Sequence, residues 1–275
     1  MTELSLAADA AVGRVPVEHG EIAYETRGDG APLVFLHSAG ADRAMWRPVV
    51  ARLCARYRCV AIDQRGFGDS SLPESPYSDC DDVAAVCEAL GLHRPVLVGN
   101  SLGGSTVLDA AVAKPELPAA IALFAAFAGG WTYGPEMSEF AARMARIRAE
   151  RGEQAAFEAD VDFWLLHGRD ASVVSAEIRD YVHAARARTR DRKPNQSLRR
   201  IGPTLERLDR VAVPAEIVTG DADVGDFAAI ARLLHDGIAG STLRTLPAGH
   251  FIPLERPGDA AEIVDALARR VFDCA

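Results

Sequence analysis

Short apolar segments alternate with helix-patterned segments through the first half of the chain. The segments PLVFL (32–36) and PVLVG (95–99) are almost wholly apolar, which is typical of strands covered by helices on both faces. The segment EIAYET (21–26) instead alternates apolar and polar positions, like an edge strand with one exposed face. This succession predicts an α/β fold with right-handed crossovers, a mostly parallel twisted sheet and helices on both of its faces.

Two parts of the chain depart from this alternation. The first two strand segments, VPVEH and EIAYET, are predicted to pair as an antiparallel hairpin at the sheet edge, turning at His19–Gly20. Between residues 129 and 205 strand patterns give way to Ala- and Arg-rich segments that favour helices. We therefore predict a helical lid at 129–205, inserted into a core formed by residues 1–128 and 206–275.

Composition and charge narrow the choice of partner. The chain has 275 residues, enough for one α/β domain with an insertion, and a net charge of −9, which repels nucleic acid and anionic membranes. We expect a small-molecule substrate and a monomer or homodimer. No basic and apolar leader and no apolar segment near about 18 residues occurs, so we expect a cytoplasmic protein. The five cysteines, odd in number and without CxxC spacing, are expected to be reduced thiols.

The strongest chemical signal is the GxSxG sequence from Gly99 to Gly103, which follows an apolar strand and precedes a helical segment. A serine on a sharp strand-to-helix turn needs glycine on both sides, because the backbones approach too closely for Cβ atoms. We therefore predict that Ser101 is a nucleophile. The alternative is a tight turn in which Ser101 only caps the helix.

A serine hydroxyl is a weak nucleophile, so it needs a base, and the base needs an orienting acid. His250 lies on a loop after the strand TLRTL, and it is the predicted base. Asp223 follows the strand AEIVTG and is the predicted acid, although Asp221 and Asp226 crowd the same loop. A metal site built from these three carboxylates is the weaker alternative, so neither a metal nor an organic cofactor is expected.

The developing oxyanion requires two backbone N–H donors. We predict Leu102, which follows the nucleophile, and Ala39, in the small-residue loop after PLVFL. His37 in the same loop is expected to hold the loop by hydrogen bonding rather than to titrate in catalysis.

Substrate contacts are expected from the lid and from the two loops beside the triad. The predicted substrate-binding residues are Ser38, Trp131, Trp164 and Phe251, and Tyr133 and Phe163 are further aromatic candidates under the lid. A basic run could attract a carboxylate, but we favour a solvated helix face for it. The run consists of Arg186, Arg188, Arg190, Arg192, Lys193, Arg199 and Arg200.

These motifs resemble the α/β-hydrolase superfamily over nearly the whole chain outside the lid. The segments that carry the resemblance are LHSAGADRAMW, DQRGFGDSSLP, GNSLGG, VTGDADVGDF and AGHFIPLERP. The MW after the oxyanion loop and the DVGDF after the acid are similar to enol-lactonase-like members and small esterases. Serine at the turn argues against the halide-displacing members, which carry aspartate there.

The resemblance implies a serine hydrolase that cleaves a carboxylic ester or lactone. GNSLGG is also similar to the turn of carbon–carbon bond hydrolases, which act on diketone-type substrates, although these usually have Trp where this chain has Phe251. Ser38 stands where many members have glycine. A ligand receptor with slow or no turnover on the same fold is the alternative from outside enzymes.

Overall fold

A computed structural model describes residues 3–190, 192, 198–199 and 201–273. Within these residues, eight strands form one sheet in the order β1-β2-β4-β3-β5-β6-β7-β8. They are β1 (Ala11–Val17), β2 (Gly20–Arg27), β3 (Ala31–Leu36), β4 (Tyr57–Ile62), β5 (Val96–Asn100), β6 (Ala120–Phe124), β7 (Ala215–Gly220) and β8 (Thr242–Leu246). Strands β3 to β8 are parallel, while β2 runs antiparallel to both β1 and β4. The predicted mostly parallel sheet with an antiparallel edge hairpin is confirmed.

The hairpin turns one residue earlier than its glycine suggests. Gly20 pairs with Val17 inside the ladder, so the two turn residues are Glu18 and His19. His19 takes the left-handed conformation with φ 57°. Gly20 meets a different need, because a Cβ atom there would lie 2.9 Å from Cβ of Ser71.

Helices cover both faces of the sheet, as the apolar strands predict. The helices are α1 (Arg47–Leu53), α2 (Asp79–Ala89), α3 (Leu102–Ala113), α4 (Pro135–Leu166), α5 (Ala176–Thr189), α6 (Gly225–Gly237), α7 (Ile252–Glu255) and α8 (Pro257–Phe272). In β3, Leu33 and Phe35 join the apolar cluster under α1 and α8, whereas Val34 and Leu36 join the cluster under α2, α3 and α6. All four side chains are fully buried, so this part of β3 has no solvent face.

The described chain between β6 and β7 is helical. Helix α4 breaks at Gly152, where φ is 85°, and α5 packs against it. A 3₁₀ turn at Thr204–Arg210 crosses the predicted lid boundary at residue 205, and the boundaries themselves stay a prediction. In the part of the chain that the structure describes, no helix combines the length and apolarity needed to cross a bilayer.

Candidate functional site

Ser101 lies on the turn that joins β5 to α3. Its backbone angles are φ 54° and ψ −110°, a region that non-glycine residues rarely adopt. The two neighbouring glycines make the turn possible, since a Cβ atom on Gly99 would lie 2.3 Å from the Gly103 carbonyl, and one on Gly103 would lie 2.2 Å from the Leu36 carbonyl oxygen. The GxSxG spacing therefore has the steric cause that the sequence suggests, and it places Ser101 at the carboxyl end of β5.

His250 and Asp223 form a buried hydrogen-bonded pair on the loops after β8 and β7. His250 Nδ1 lies 2.9 Å from Oδ2 and 3.1 Å from Oδ1 of Asp223. A carboxylate only accepts, so Nδ1 carries the hydrogen and Nε2 is left as the acceptor. The N–H of Val224 also donates to Asp223 Oδ1 at 2.7 Å, and Phe227 and Trp164 lie 4.5 and 4.9 Å from the imidazole ring.

The structure separates the three neighbouring aspartates. Asp221 is exposed, whereas Asp226 accepts from the Trp131 indole N–H at 2.8 Å and from the Gly134 N–H at 2.9 Å. Among the three, Asp223 is the one bonded to His250. No cluster of three or more potential metal ligands occurs within the described ranges.

A cavity of about 260 Å³ brings most of the predicted chemistry together. Its lining residues are Ala39, Ser101, Leu102, Phe127, Tyr133, Trp164, Arg186, Phe227 and His250. Leu102 is the first residue of α3, so its N–H belongs to the helix terminus, where anions are favoured. Ala39 reaches the cavity from the loop after β3, which contacts the turn through a 3.1 Å hydrogen bond from Gly103 N to the His37 carbonyl.

His37 holds this loop in place. Its Nδ1 donates to the Ser38 carbonyl at 2.8 Å, and its Nε2 accepts from the Gln64 N–H at 2.9 Å. Burial lowers the pKa of His37 because a charged ring would lose its hydration, while Asp63 nearby pulls the pKa up more weakly. The neutral ring is therefore suited to the bracing role that we expected of it.

Three of the four predicted substrate-binding side chains do not line the cavity. Trp164 does, but Trp131 is turned away by its hydrogen bond to Asp226 and packs beside α3 and α6. Phe251 is buried in the core, and Ser38 is buried under Met45, whose sulfur accepts from its N–H at 3.4 Å. Neighbouring core contacts direct these three side chains away from this cavity, and their role in substrate binding stays a prediction.

The two further aromatic candidates also differ in whether they line the cavity. Tyr133 lines the cavity, whereas Phe163 stacks on Phe140 with a centroid distance of 3.9 Å and is absent from the lining. Sequence reasoning missed Phe127 and Phe227 as lining residues. The sequence did contain a signal for Phe227, namely its position four residues after the predicted acid Asp223. The structure places Phe227 in the first turn of α6.

The described part of the basic run combines solvent exposure with specific contacts, since Arg188 and Arg190 are exposed while Arg186 and Arg192 are half-buried. Arg188 pairs with Asp42 beside the oxyanion loop, and Arg192 donates to the carbonyls of Gly68 and Ser70. Arg186 pairs with Asp160 and lines the cavity. These side chains attach α5 to the core and to α4, and the acceptors lie too far away in sequence to be anticipated. Lys193 and Arg200 lie outside the described residues.

A partly buried ion pair supports the loop that carries His250. Arg169, just after α4, donates to both carboxylate oxygens of Glu255 at 2.7 and 3.0 Å. Glu255 Oε1 also accepts from the Gly249 N–H at 3.1 Å. The residue before His250 is thereby tied to the end of α4, which links the helical segment to the geometry of the candidate base.

Comparison with known proteins identifies the family of this chain. The family described as "Alpha/beta hydrolase family" matches residues 33–263. The chain is 27% identical over 268 residues to 3-oxoadipate enol-lactonase 2 from Acinetobacter baylyi, covering 90% of this chain and 92% of that protein. The crystal structure of the enol-lactonase from Burkholderia xenovorans LB400 superposes with a TM-score of 0.71 at 26% identity, covering 93% of this chain and 99% of that one.

A shorter match has higher identity. The chain is 35% identical over 106 residues to 2-(acetamidomethylene)succinate hydrolase from Mesorhizobium japonicum. The match covers 37% of this chain and spans 38% of that relative's length. Similarity to that protein is therefore confined to part of each chain.

Proposed function

The chain belongs to the alpha/beta hydrolase family, and from this premise we propose that it is a serine hydrolase that cleaves a carboxylic ester or lactone of a small molecule. One observation carries the proposal: Ser101, on its constrained turn, shares a cavity with His250, whose Nδ1 is bonded to the buried carboxylate of Asp223. This is the arrangement that nucleophilic acyl transfer needs.

In the proposed reaction, His250 Nε2 removes the Ser101 hydroxyl proton as the oxygen attacks the substrate carbonyl. Asp223 keeps the second ring proton on Nδ1 and stabilises the imidazolium that forms. The carbonyl oxygen becomes an oxyanion, for which the N–H groups of Leu102 and Ala39 are the proposed donors. His250 then returns the proton to the leaving alcohol oxygen, and an acyl-enzyme remains.

Water completes the cycle. His250 takes a proton from the water as it attacks the acyl carbonyl, and Ser101 leaves with that proton when the acid is released. The lining favours a small substrate with apolar parts, because the cavity of about 260 Å³ is walled by Phe127, Tyr133, Trp164 and Phe227. The enol-lactonase relatives support a lactone or ester as the bond that is cleaved.

A fluorophosphonate probe and a panel of p-nitrophenyl esters and lactones test the proposal. We expect the probe to label Ser101 and at least one acyl compound to be turned over. Ser101→Ala should abolish labelling and lower kcat by at least about 10³, with the fold retained by circular dichroism, since the three residues work as a unit.

Two outcomes would contradict the proposal. A folded Ser101→Ala protein with near-normal turnover would exclude Ser101 as the nucleophile. Labelling of Ser101 without turnover of any acyl compound would instead favour carbon–carbon bond hydrolysis or a ligand receptor on the same fold.

A further inference from the structure

A second cavity, of about 280 Å³, lies at the antiparallel edge of the sheet, and we call it the edge cavity. Its lining comes from β2 and β4, from helix α1 and from the segment 3–10 that precedes β1. None of its described lining residues also lines the cavity that holds Ser101. The edge cavity is therefore a separate feature that the proposed reaction does not use.

Polar contacts hold the segment 3–10 against the strands and α1. Arg47 of α1 donates to the Leu4 carbonyl oxygen at 2.6 Å. Arg27 of β2 pairs with Asp9, with Nε 2.8 Å from Oδ1. The segment is thus attached near both of its ends, so the edge cavity has a defined wall on this side.

Alanines leave the edge cavity open where larger side chains would fill it. They come from the segment 3–10, from α1 and from β4, and they are Ala7, Ala10, Ala51 and Ala61. An apolar cavity of about 150 Å³ binds benzene. The edge cavity therefore has room for a compound with two fused rings.

Ion pairs neutralise the charges of the lining. Its charged residues are Glu3, Glu25, Arg27 and Arg47. Arg47 bonds both carboxylate oxygens of the buried Glu25, with Nη2 2.8 Å from Oε2 and Nε 3.1 Å from Oε1. The other pairs are Arg27–Asp9 and Glu3–Arg52. A charged ligand would lose hydration on entering without gaining an unpaired opposite charge, so a neutral ligand is favoured.

Apolar side chains supply further contacts. Val50 of α1 and Leu6 of the segment 3–10 belong to the lining, and Leu6 is 42% exposed. A ligand that covers Leu6 would remove apolar surface from water, which favours binding. Burial raises the pKa of the Cys59 thiol, which also lines the edge cavity. The thiol therefore stays protonated at neutral pH, so binding is non-covalent.

We propose that the edge cavity is a binding site for a small, neutral and largely apolar molecule, about the size of indole. The cavity volume sets the size of this ligand, and the ion pairs of the lining set its neutrality. Leu6, Val50 and the alanines set its apolar character. The site is independent of the proposed hydrolase function, because it shares no described lining residue with the cavity of Ser101.

NMR of the wild-type protein with indole as the probe locates the site without any variant. With isotope-labelled alanine and valine methyl groups, we expect intermolecular nuclear Overhauser effects from indole to Ala61 and Val50. Their absence with indole in excess would overturn the inference. Effects confined to Ala39 would place indole in the cavity of Ser101 and would overturn it as well.

Filling the edge cavity should expel the probe. Ala61→Leu extends a side chain from β4, and Ala51→Leu extends one from an exposed position of α1. Each should raise the Kd of indole, measured by isothermal titration calorimetry, at least about tenfold, because the side chain and the ligand compete for one volume. If circular dichroism shows that Ala61→Leu does not fold, Ala51→Leu decides alone, since its position is exposed.

The control is Ala145→Leu, the same substitution at an exposed position of α4 outside the edge cavity. Its Kd for indole should stay at the wild-type value. An unchanged Kd in the folded cavity-filling variants, or an equal rise in Ala145→Leu, would overturn the inference.

Matched compounds test the neutrality of the ligand. Indole-3-acetamide should bind the wild-type protein at least about tenfold more tightly than indole-3-acetate, since the charged compound must bury a carboxylate without a free partner. Indole-3-ethanol should likewise bind more tightly than the cation tryptamine. Equal or tighter binding of the charged member of either pair would overturn the inference.

Discussion

The turn at Ser101 shows how a few atoms determine a candidate active site. A non-glycine residue at φ 54° is strained, and the strain is maintained because Gly99 and Gly103 let β5, α3 and the loop after β3 approach one another. The same close approach brings the Leu102 N–H and the Ala39 loop to one cavity. At the residue scale, the glycines therefore matter for packing as much as for turn geometry.

Replacing Gly103 tests this packing directly. We expect Gly103→Ala to lower the free energy of unfolding by at least about 2 kcal/mol, because its Cβ would meet a backbone carbonyl oxygen that has no room to move. Urea denaturation measures the change. Gly258→Ala, at a helical position with no heavy atom within 4 Å of the added Cβ, is the control and should be neutral or stabilising.

Asp223 and Asp221 of one loop should differ sharply in their effect on turnover. Asp223→Asn should lower kcat by about 10³ or more, since the amide no longer holds the proton on Nδ1 of His250. Asp221→Asn should be nearly silent because this side chain is exposed. Steady-state kinetics on a neutral ester ranks the variants, and a larger loss for Asp221→Asn than for Asp223→Asn would place the acid elsewhere in the loop.

At the scale of elements, helices α4 and α5 contribute both walls and supports to the cavity. Trp164 and Arg186 face it, whereas Arg188, Arg192 and Arg169 attach the two helices to the loops beneath. The ends of β5, β7 and β8 lead into the loops with the candidate catalytic residues, since parallel strands bring their carboxyl ends to one edge of the sheet. We therefore expect specificity and reaction to depend on different elements.

The two tryptophans of this region should respond differently to truncation. Trp164→Ala should raise KM and alter acyl-chain preference, because the ring lines the cavity and lies 4.9 Å from His250. Trp131→Ala should mainly lower stability, by about 1–3 kcal/mol, because its indole instead satisfies the carboxylate of Asp226. Kinetics on an ester series, combined with thermal unfolding, separates the two effects, and a KM change confined to Trp131→Ala would contradict the described lining.

At the scale of the whole molecule, buried polar groups couple stability to pH. His37 is fully buried, accepts from Gln64 N–H through Nε2, and has its pKa lowered by burial. The unfolded chain binds a proton near pH 6.5, about the ordinary value for histidine, while the folded chain does so only at lower pH. The contribution of His37 to stability is therefore present above about pH 6.5 and declines as the pH falls below it.

Comparing the wild-type protein with His37→Gln isolates this contribution. Between about pH 6.5 and 5 the free energy of unfolding of the wild type should fall more steeply than that of the variant, by up to about 1.4 kcal/mol per pH unit. The charged groups that face His37 are Asp63, Asp42 and Arg43, and both proteins retain them. Urea denaturation at several pH values provides the measurement, and parallel slopes would show that His37 does not carry the dependence.

Local patterns were sufficient to predict much of this protein. The apolar segments determined which strands are covered on both faces, because burial acts on each position of a strand separately. The spacing of Gly99, Ser101 and Gly103 indicated the turn, since the steric requirement involves residues close in sequence. The order along the chain also indicated candidates for the nucleophile, the acid and the base, namely Ser101, Asp223 and His250. The sheet brings these residues near one another.

Tertiary structure decided what local patterns left open. Contacts with residues far away in sequence distinguish Asp223 from Asp221 and Asp226. Asp223 is bonded to His250, whereas Asp226 is bonded to Trp131. The cavity wall includes Arg186 and excludes Trp131 for the same reason, because a side chain's direction depends on which distant elements pack around it. Sequence periodicity records whether a position is buried, whereas the identity of its neighbours is determined only when the strands, the loops and the two helices above them have assembled.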